Sequence, residues 1–218
     1  MDRGSTSSAV ESVWTDLYDE TPTLREVSDT ITAAYELLRD SLRRGSQVLV
    51  CGNGGSASDS EHIAGELAKP CALMRPLSQE QRDALFAAGD DGYLAELLQQ
   101  GLAVWPLVSQ AALITAIAND QGGDLIFAQQ VMAYGRSGDV LWALSTSGNS
   151  ANVIHALRTA RSLGMATLGF SGPDESDMSD LCDVVVALPG VNVPAVQHSH
   201  QLVYHALCLA LEAQWFAK

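Results

Sequence analysis

The sequence predicts an α/β fold, a mainly parallel sheet covered by helices on both faces. Three observations carry that prediction. Short, continuous apolar runs at Val48-Leu49-Val50, Val140–Leu144, Ala166–Phe170 and Val184–Leu188 read as strands buried on both sides. Longer segments between them repeat apolar residues at helical spacing. The two kinds alternate along 218 residues, as a sheet with helical crossovers requires.

The elements follow in order. Residues 1–8 are polar, and fraying is expected there. Helical periodicity runs from Ala9 to Leu17 and again from Leu24 to Leu42, where Val27, Ile31, Ala34, Leu37 and Leu38 form one stripe. Gly45 ends this region of about 9–45, and Val48-Leu49-Val50 is the first strand. A glycine-rich loop follows, then a helix to about Lys69, stopped by Pro70. Ser78 to Gln100 reads as helical, broken at Gly89-Asp90-Asp91-Gly92. Residues 103–108 read as a strand interrupted by Pro106; helices follow at Gln110–Ala118 and Leu125–Tyr134. After Val140–Leu144 come a second polar loop, a helix from Ala151 to Leu163, two more strands, and a last helix from about Gln197 to Ala213. No linker or low-complexity tract divides the chain, so 1–218 is read as one domain.

Composition narrows the function. A net charge of −14 argues against nucleic acid or an anionic membrane as partner. Cys51, Cys71, Cys182 and Cys208 show no CxxC pairing, so reduced thiols are expected. The N-terminus has no apolar signal segment, and no apolar run reaches the roughly 18 residues of a membrane span. A cytoplasmic protein is the expectation.

Two loops point to a bound anion. Gly52-Asn53-Gly54-Gly55-Ser56-Ala57-Ser58 and Ser145-Thr146-Ser147-Gly148-Asn149-Ser150 each leave a strand and open a helix. Backbone N–H groups at a helix start, close-approaching glycines and hydroxyls together suit phosphate. The first loop also fits G-x-G-x-x-A, yet the stretch where a dinucleotide site needs an acid is Pro70-Cys71-Ala72-Leu73-Met74-Arg75-Pro76. In the second loop a helix cap explains Ser150 or Asn149 alone, leaving Ser145, Thr146 and Ser147 for a ligand.

The helix opened by the first loop carries His62 and Glu66 at i, i+4, on one face, a spacing that suits two ligands of one metal or a surface pair. The last helix holds Gln197, His198, His200, Gln201 and His205. Gln197 and His205 stand roughly 12 Å apart along a straight helix axis. A shared metal therefore requires both side chains to reach inward, a bent helix start, or a neighbouring subunit. Asn119-Asp120 reads as a helix end, or as a polar pair facing a sugar.

These motifs, in this order, resemble the phosphoheptose isomerases of the sugar isomerase (SIS) superfamily: Cys51–Ser56, His62-x-x-x-Glu66, Ala118-Asn119-Asp120, Leu144–Ser150 and Gln197…His205, within roughly residues 30–215. The resemblance implies a three-layer SIS fold and a homotetramer with active sites at subunit interfaces. It implies that Asn53, Gly54, Gly55, Glu66, Asn119, Asp120 and Gln197 contact substrate, and that Ser56, Ser145, Thr146, Ser147 and Ser150 hold its phosphate. It further implies a zinc ion on His62, Glu66, Gln197 and His205, with Glu66 and His205 as the acid–base pair. The activity it implies is the aldose–ketose isomerisation of sedoheptulose 7-phosphate to D-glycero-D-manno-heptose 7-phosphate.

The residue types suit that chemistry. Moving a proton between C1 and C2 needs a base for the carbon-bound proton and an acid for the developing oxyanion. Three departures stand against the family pattern. Pro194 stands where an Asp is common three residues before Gln197. Lys69 and Pro70 follow Glu66 where an Arg is common. Residues 71–102 are longer than usual. These leave open a different sugar phosphate; a separate alternative, a non-catalytic SIS protein binding a protein partner, is disfavoured by the presence of both Glu66 and His205.

Overall fold

The computed structural model describes residues 8–217, so the expected fraying at 1–8 falls outside it except for Ser8, which opens the first helix. Helix α1 runs Ser8–Glu20, and a 3-10 turn over Pro22–Val27 leads into α2, Ser28–Arg43. Strand β1 spans Val48–Gly52 and α3 spans Gly55–Ala68. Then come α4 (Gln79–Ala87), α5 (Tyr93–Leu97), β2 (Val104–Pro106), α6 (Ala111–Asp120), α7 (Ile126–Tyr134), β3 (Val140–Leu144), α8 (Ala151–Ser162), β4 (Ala166–Ser171), β5 (Val184–Ala187) and α9 (Val193–Phe216).

The expected break between Gly89 and Gly92 separates α4 from α5. Ser78 caps α4 through a reciprocal bond with Gln81, and Asp90 accepts the N–H groups of Leu94 and Ala95. The last helix starts four residues earlier than its apolar pattern suggests. Asn192 accepts the N–H of Ala195 at 3.0 Å, and Pro194 sits in the first turn, where its missing N–H costs nothing.

All strands are parallel, in the order β2-β1-β3-β4-β5. Alternate residues feed two cores. Val48, Val50, Val140, Trp142, Leu144, Leu168 and Phe170 face the layer of α1, α2, α3 and α9. Leu49, Cys51, Leu141 and Ala143 face that of α7 and α8. This is the predicted three-layer sandwich, and the period-two split is why the strands read as unbroken apolar runs.

One ion pair ties the chain after α3 to α9. Arg75 and Glu212 are both buried, with Arg75 Nε 2.7 Å from Glu212 Oε1. Glu212 also accepts the N–H groups of Cys71 (2.8 Å), Ala72 (2.7 Å) and Leu73 (3.0 Å). Burial alone raises the Glu212 pKa, but these N–H donors and the guanidinium outweigh it and hold the carboxyl below its usual range. A lowered folded value adds stability that is complete above the unfolded pKa of roughly 4.3 and is lost as pH falls through the folded value. Thermal melts between pH 6 and pH 3 are expected to show that acid loss, reduced in a Glu212→Gln chain; an unchanged slope contradicts it.

Candidate active site

The order of the sheet creates the site. From β1 the chain crosses to β2 on one side and returns to β3 on the other, so neighbouring β1 and β3 send their following loops apart. In open α/β sheets a crevice opens at the carboxyl ends of such a strand pair. Both polar loops lie there: the glycine loop follows β1 and the serine loop follows β3. Asn53 and Asn152 bridge them with reciprocal amide bonds of 2.8 and 2.9 Å.

Both helix starts lack a side-chain cap. Gly54 stands at the N-cap of α3 and Ser150 at that of α8, and neither gives a capping bond. Ser150 Oγ instead lies 3.1 Å from Ser145 Oγ, which is 3.5 Å from Ser147 Oγ. This leaves a cluster of three hydroxyls beside free N–H groups. Gly148 has φ +66°, and a Cβ there would overlap Ser176. Thr146 and Ser147 line a cleft of about 250 Å³ whose other wall includes Asp174, Asn192 and Val193. Ser56 is buried, and its carbonyl accepts the Ser60 hydroxyl at 2.7 Å.

The reactive side chains meet where α3 and α9 run side by side in the same direction. Gln197 lies over Gly55, where a Cβ would overlap its amide, and its Nε2 is 3.4 Å from Asp59 Oδ2. One turn on, Gln201 Nε2 reaches Asp59 Oδ1 at 3.4 Å. The next contact is Tyr204 OH, 3.3 Å from Asp59 Oδ1 and 3.2 Å from His62 Nδ1. The His62 and His205 rings then pack edge to face, with centroids 4.7 Å apart. His62 Nε2 is 3.2 Å from Glu66 Oε1. Thus His62 touches both Glu66 and His205, whereas Gln197 is held two turns back.

Hydrogen bonding fixes the imidazoles. His205 Nδ1 lies 2.8 Å from the Gln201 carbonyl, so it carries the proton and Nε2 is free. The Asp59 carboxylate accepts only, so Tyr204 donates its hydroxyl to it at 3.3 Å, and the Tyr204 oxygen partners His62 Nδ1 at 3.2 Å. His62 Nε2 and the Glu66 carboxylate face each other on one side of α3, two groups of metal-ligating type 3.2 Å apart. Two imidazoles with satisfied second nitrogens and one carboxylate suit zinc in chemistry. Among the described residues, no three His, Cys, Asp or Glu side chains stand ready-gathered as a metal-holding group. A thiol hydrogen bond from Cys71 is the main cause that lowers the Glu66 pKa; burial opposes it, and Lys69 and His62 add to it.

Asn119 and Asp120 close α6, joined to each other at 2.7 Å. Among the described residues, no hydrogen bond links them to either loop. Sequence reasoning missed Asp59, Tyr204 and Arg75. Asp59 is three residues before His62 and so shares its face, which is the signal that could have found it. Arg75, beyond Lys69 and Pro70, reaches back to the end of this helix: its guanidinium donates to the carbonyls of Leu67 (2.8 Å) and Glu66 (2.9 Å). All four cysteines are free thiols, and no helix among the described residues is long and apolar enough to cross a membrane.

Two phosphate-type loops at the switch point of a parallel sheet define a class, and the comparisons name it: the SIS domain matches residues 20–82 and 88–172. The phosphoheptose isomerase of Rhodospirillum rubrum is 38% identical over 196 residues, 90% of this chain and 88% of its own length. That of Aliarcobacter butzleri is 34% identical over 189 residues, 87% of each chain. The solved structure of the Neisseria gonorrhoeae phosphoheptose isomerase superposes with a TM-score of 0.70 at 30% identity, over 93% of this chain and 98% of that one. The chain belongs to the phosphoheptose isomerase family of SIS-domain proteins.

Proposed function

We propose that this protein is an aldose–ketose isomerase that converts sedoheptulose 7-phosphate to D-glycero-D-manno-heptose 7-phosphate through an enediol or enediolate. The observation that carries the reading is the chain of contacts through His62, which bonds Glu66 one turn along α3 and packs against His205 of α9. The phosphate binds at the two uncapped helix starts, with Ser56, Ser145, Thr146, Ser147 and Ser150 as donors. Its binding energy positions the reacting end of the sugar. Asn53, Gly54, Gly55, Asn119, Asp120 and Gln197 contact the sugar. Glu66 and His205 exchange the protons between C1 and C2 and the adjacent oxygens.

His62, Glu66, Gln197 and His205 would hold a zinc ion, which when bound supplies polarisation of the substrate carbonyl. The donor chemistry of the two imidazoles and the carboxylate supports this, and metal analysis tests it, with about one zinc per chain expected. The reading also takes the chain as one SIS domain, cytoplasmic, assembled as a homotetramer. An exposed Asn119-Asp120 pair, distant from both loops in hydrogen bonding, is consistent with a site completed by another subunit.

A turnover assay over C5 to C8 sugar phosphates tests the reading. Sedoheptulose 7-phosphate is expected as the preferred substrate, and no turnover of any member overturns an enzymatic role. Ser147→Ala is expected to raise KM roughly tenfold and leave kcat nearly unchanged, because it removes a bond made equally in ground and transition states. A fall in kcat alone speaks against simple phosphate anchoring.

A further inference from the structure

Glu66 occupies a weak place in its helix. Helix α3 ends at Ala68, so Glu66 lies in the last turn, where carbonyls have no intrahelical partner and helices fray. His62 lies one turn deeper. A carboxylate that must reach a carbon-bound proton tolerates little displacement, since about 1 Å of misplacement can cost roughly 100-fold in rate.

Arg75 closes that turn. Its Nη1 donates to Leu67 O at 2.8 Å and its Nη2 to Glu66 O at 2.9 Å, while Nε is held by Glu212. The guanidinium places positive charge at a helix C-terminus, which the helix dipole favours. The side chain is fully buried and stacks over Phe216, with its central carbon 5.1 Å from the ring centroid. Glu212, on α9, orders Cys71, Ala72 and Leu73 through their N–H groups, and so shapes the loop that brings Arg75 back to α3. The Glu66 backbone is thus tied, through Arg75, to one carboxylate on the helix that carries His205.

We infer that Arg75 and Glu212 are positioning residues for Glu66: by capping the last turn of α3 and ordering the 71–73 loop, they hold the Glu66 carboxylate in register with His205. This rests on the reading of Glu66 as an acid–base residue. Lysine at 75 keeps the charge beside Glu212 but lacks the fork that spans two carbonyls. Glutamine at 212 keeps the shape and loses the charge. Neither Arg75 nor Glu212 belongs to the proposed substrate or metal contacts.

The test uses the full chain and its Arg75→Lys, Glu212→Gln and Glu66→Gln variants. Steady-state turnover of sedoheptulose 7-phosphate is normalised to folded protein by circular dichroism. Inorganic phosphate serves as competitor, and hydrogen exchange is followed across α3. Arg75→Lys and Glu212→Gln are expected to lower kcat roughly 10- to 100-fold, with KM and the phosphate inhibition constant within about twofold. Faster exchange is expected at 66–69 and not near His62. In the unmodified chain these last amides are expected to be as protected as mid-helix ones; a frayed end there overturns the inference without any variant. Near-normal kcat in the folded Arg75→Lys and Glu212→Gln chains, with Glu66→Gln inactive, overturns it alone. So does a joint rise in KM and in the phosphate constant, which marks general loosening. Full turnover by Glu66→Gln overturns the underlying reading and the inference together.

Discussion

Glu66→Gln is expected to lower kcat about 1,000-fold, within the range of general acid–base catalysis. Glutamine keeps the shape and a hydrogen-bond acceptor but cannot take a carbon-bound proton. Phosphate binding is expected to persist, since the serine loop lies at the end of β3 and touches none of the atoms changed. Steady-state kinetics with sedoheptulose 7-phosphate, paired with competition by inorganic phosphate, reads both quantities. Near-normal kcat removes Glu66 from the chemistry. Loss of phosphate affinity to the same degree means that the substitution disturbed the crevice as a whole.

Arg75→Ala is expected to destabilise the fold by about 3–5 kcal/mol, because it leaves the Glu212 carboxylate buried without its cation. Two carbonyls at the end of α3 lose their donor in the same step. Removing both charges with apolar residues of similar volume is expected to cost less than Arg75→Ala alone, since no uncompensated charge remains. Urea unfolding of the single and paired variants measures the difference, and a loss under about 1 kcal/mol for Arg75→Ala shows that the pair is dispensable.

Local pattern carried most of the fold. The strands were legible because both of their faces are buried and each apolar run is short. Helix α4 announced itself through Ser78 and Gln81, and its end through the glycines from 89 to 92. The start of α9 was less legible: it begins at Val193, with Asn192 as its cap, four residues before the expected start at Gln197. In the site, the serine loop and the His62/Glu66 pair are local spacings and could be read directly. Asp59 stands at helical spacing from His62, but Tyr204, Arg75 and Glu212 pair across 137 residues or more, and spacing says nothing about them.

The sequence by itself determined the layered α/β fold, the two anion-type loops and the resemblance that the family match bears out. Each depends on residues within one or two turns of one another, where geometry follows from residue type. Tertiary structure decided how α3 and α9 lie together. That packing sets His62 against His205, hangs Gln197 over Gly55, and puts Arg75 on the last turn of α3. Such contacts arise only when the sheet brings the helices after β1 and β5 to the same face, and their register is set by core packing along the whole length of α9.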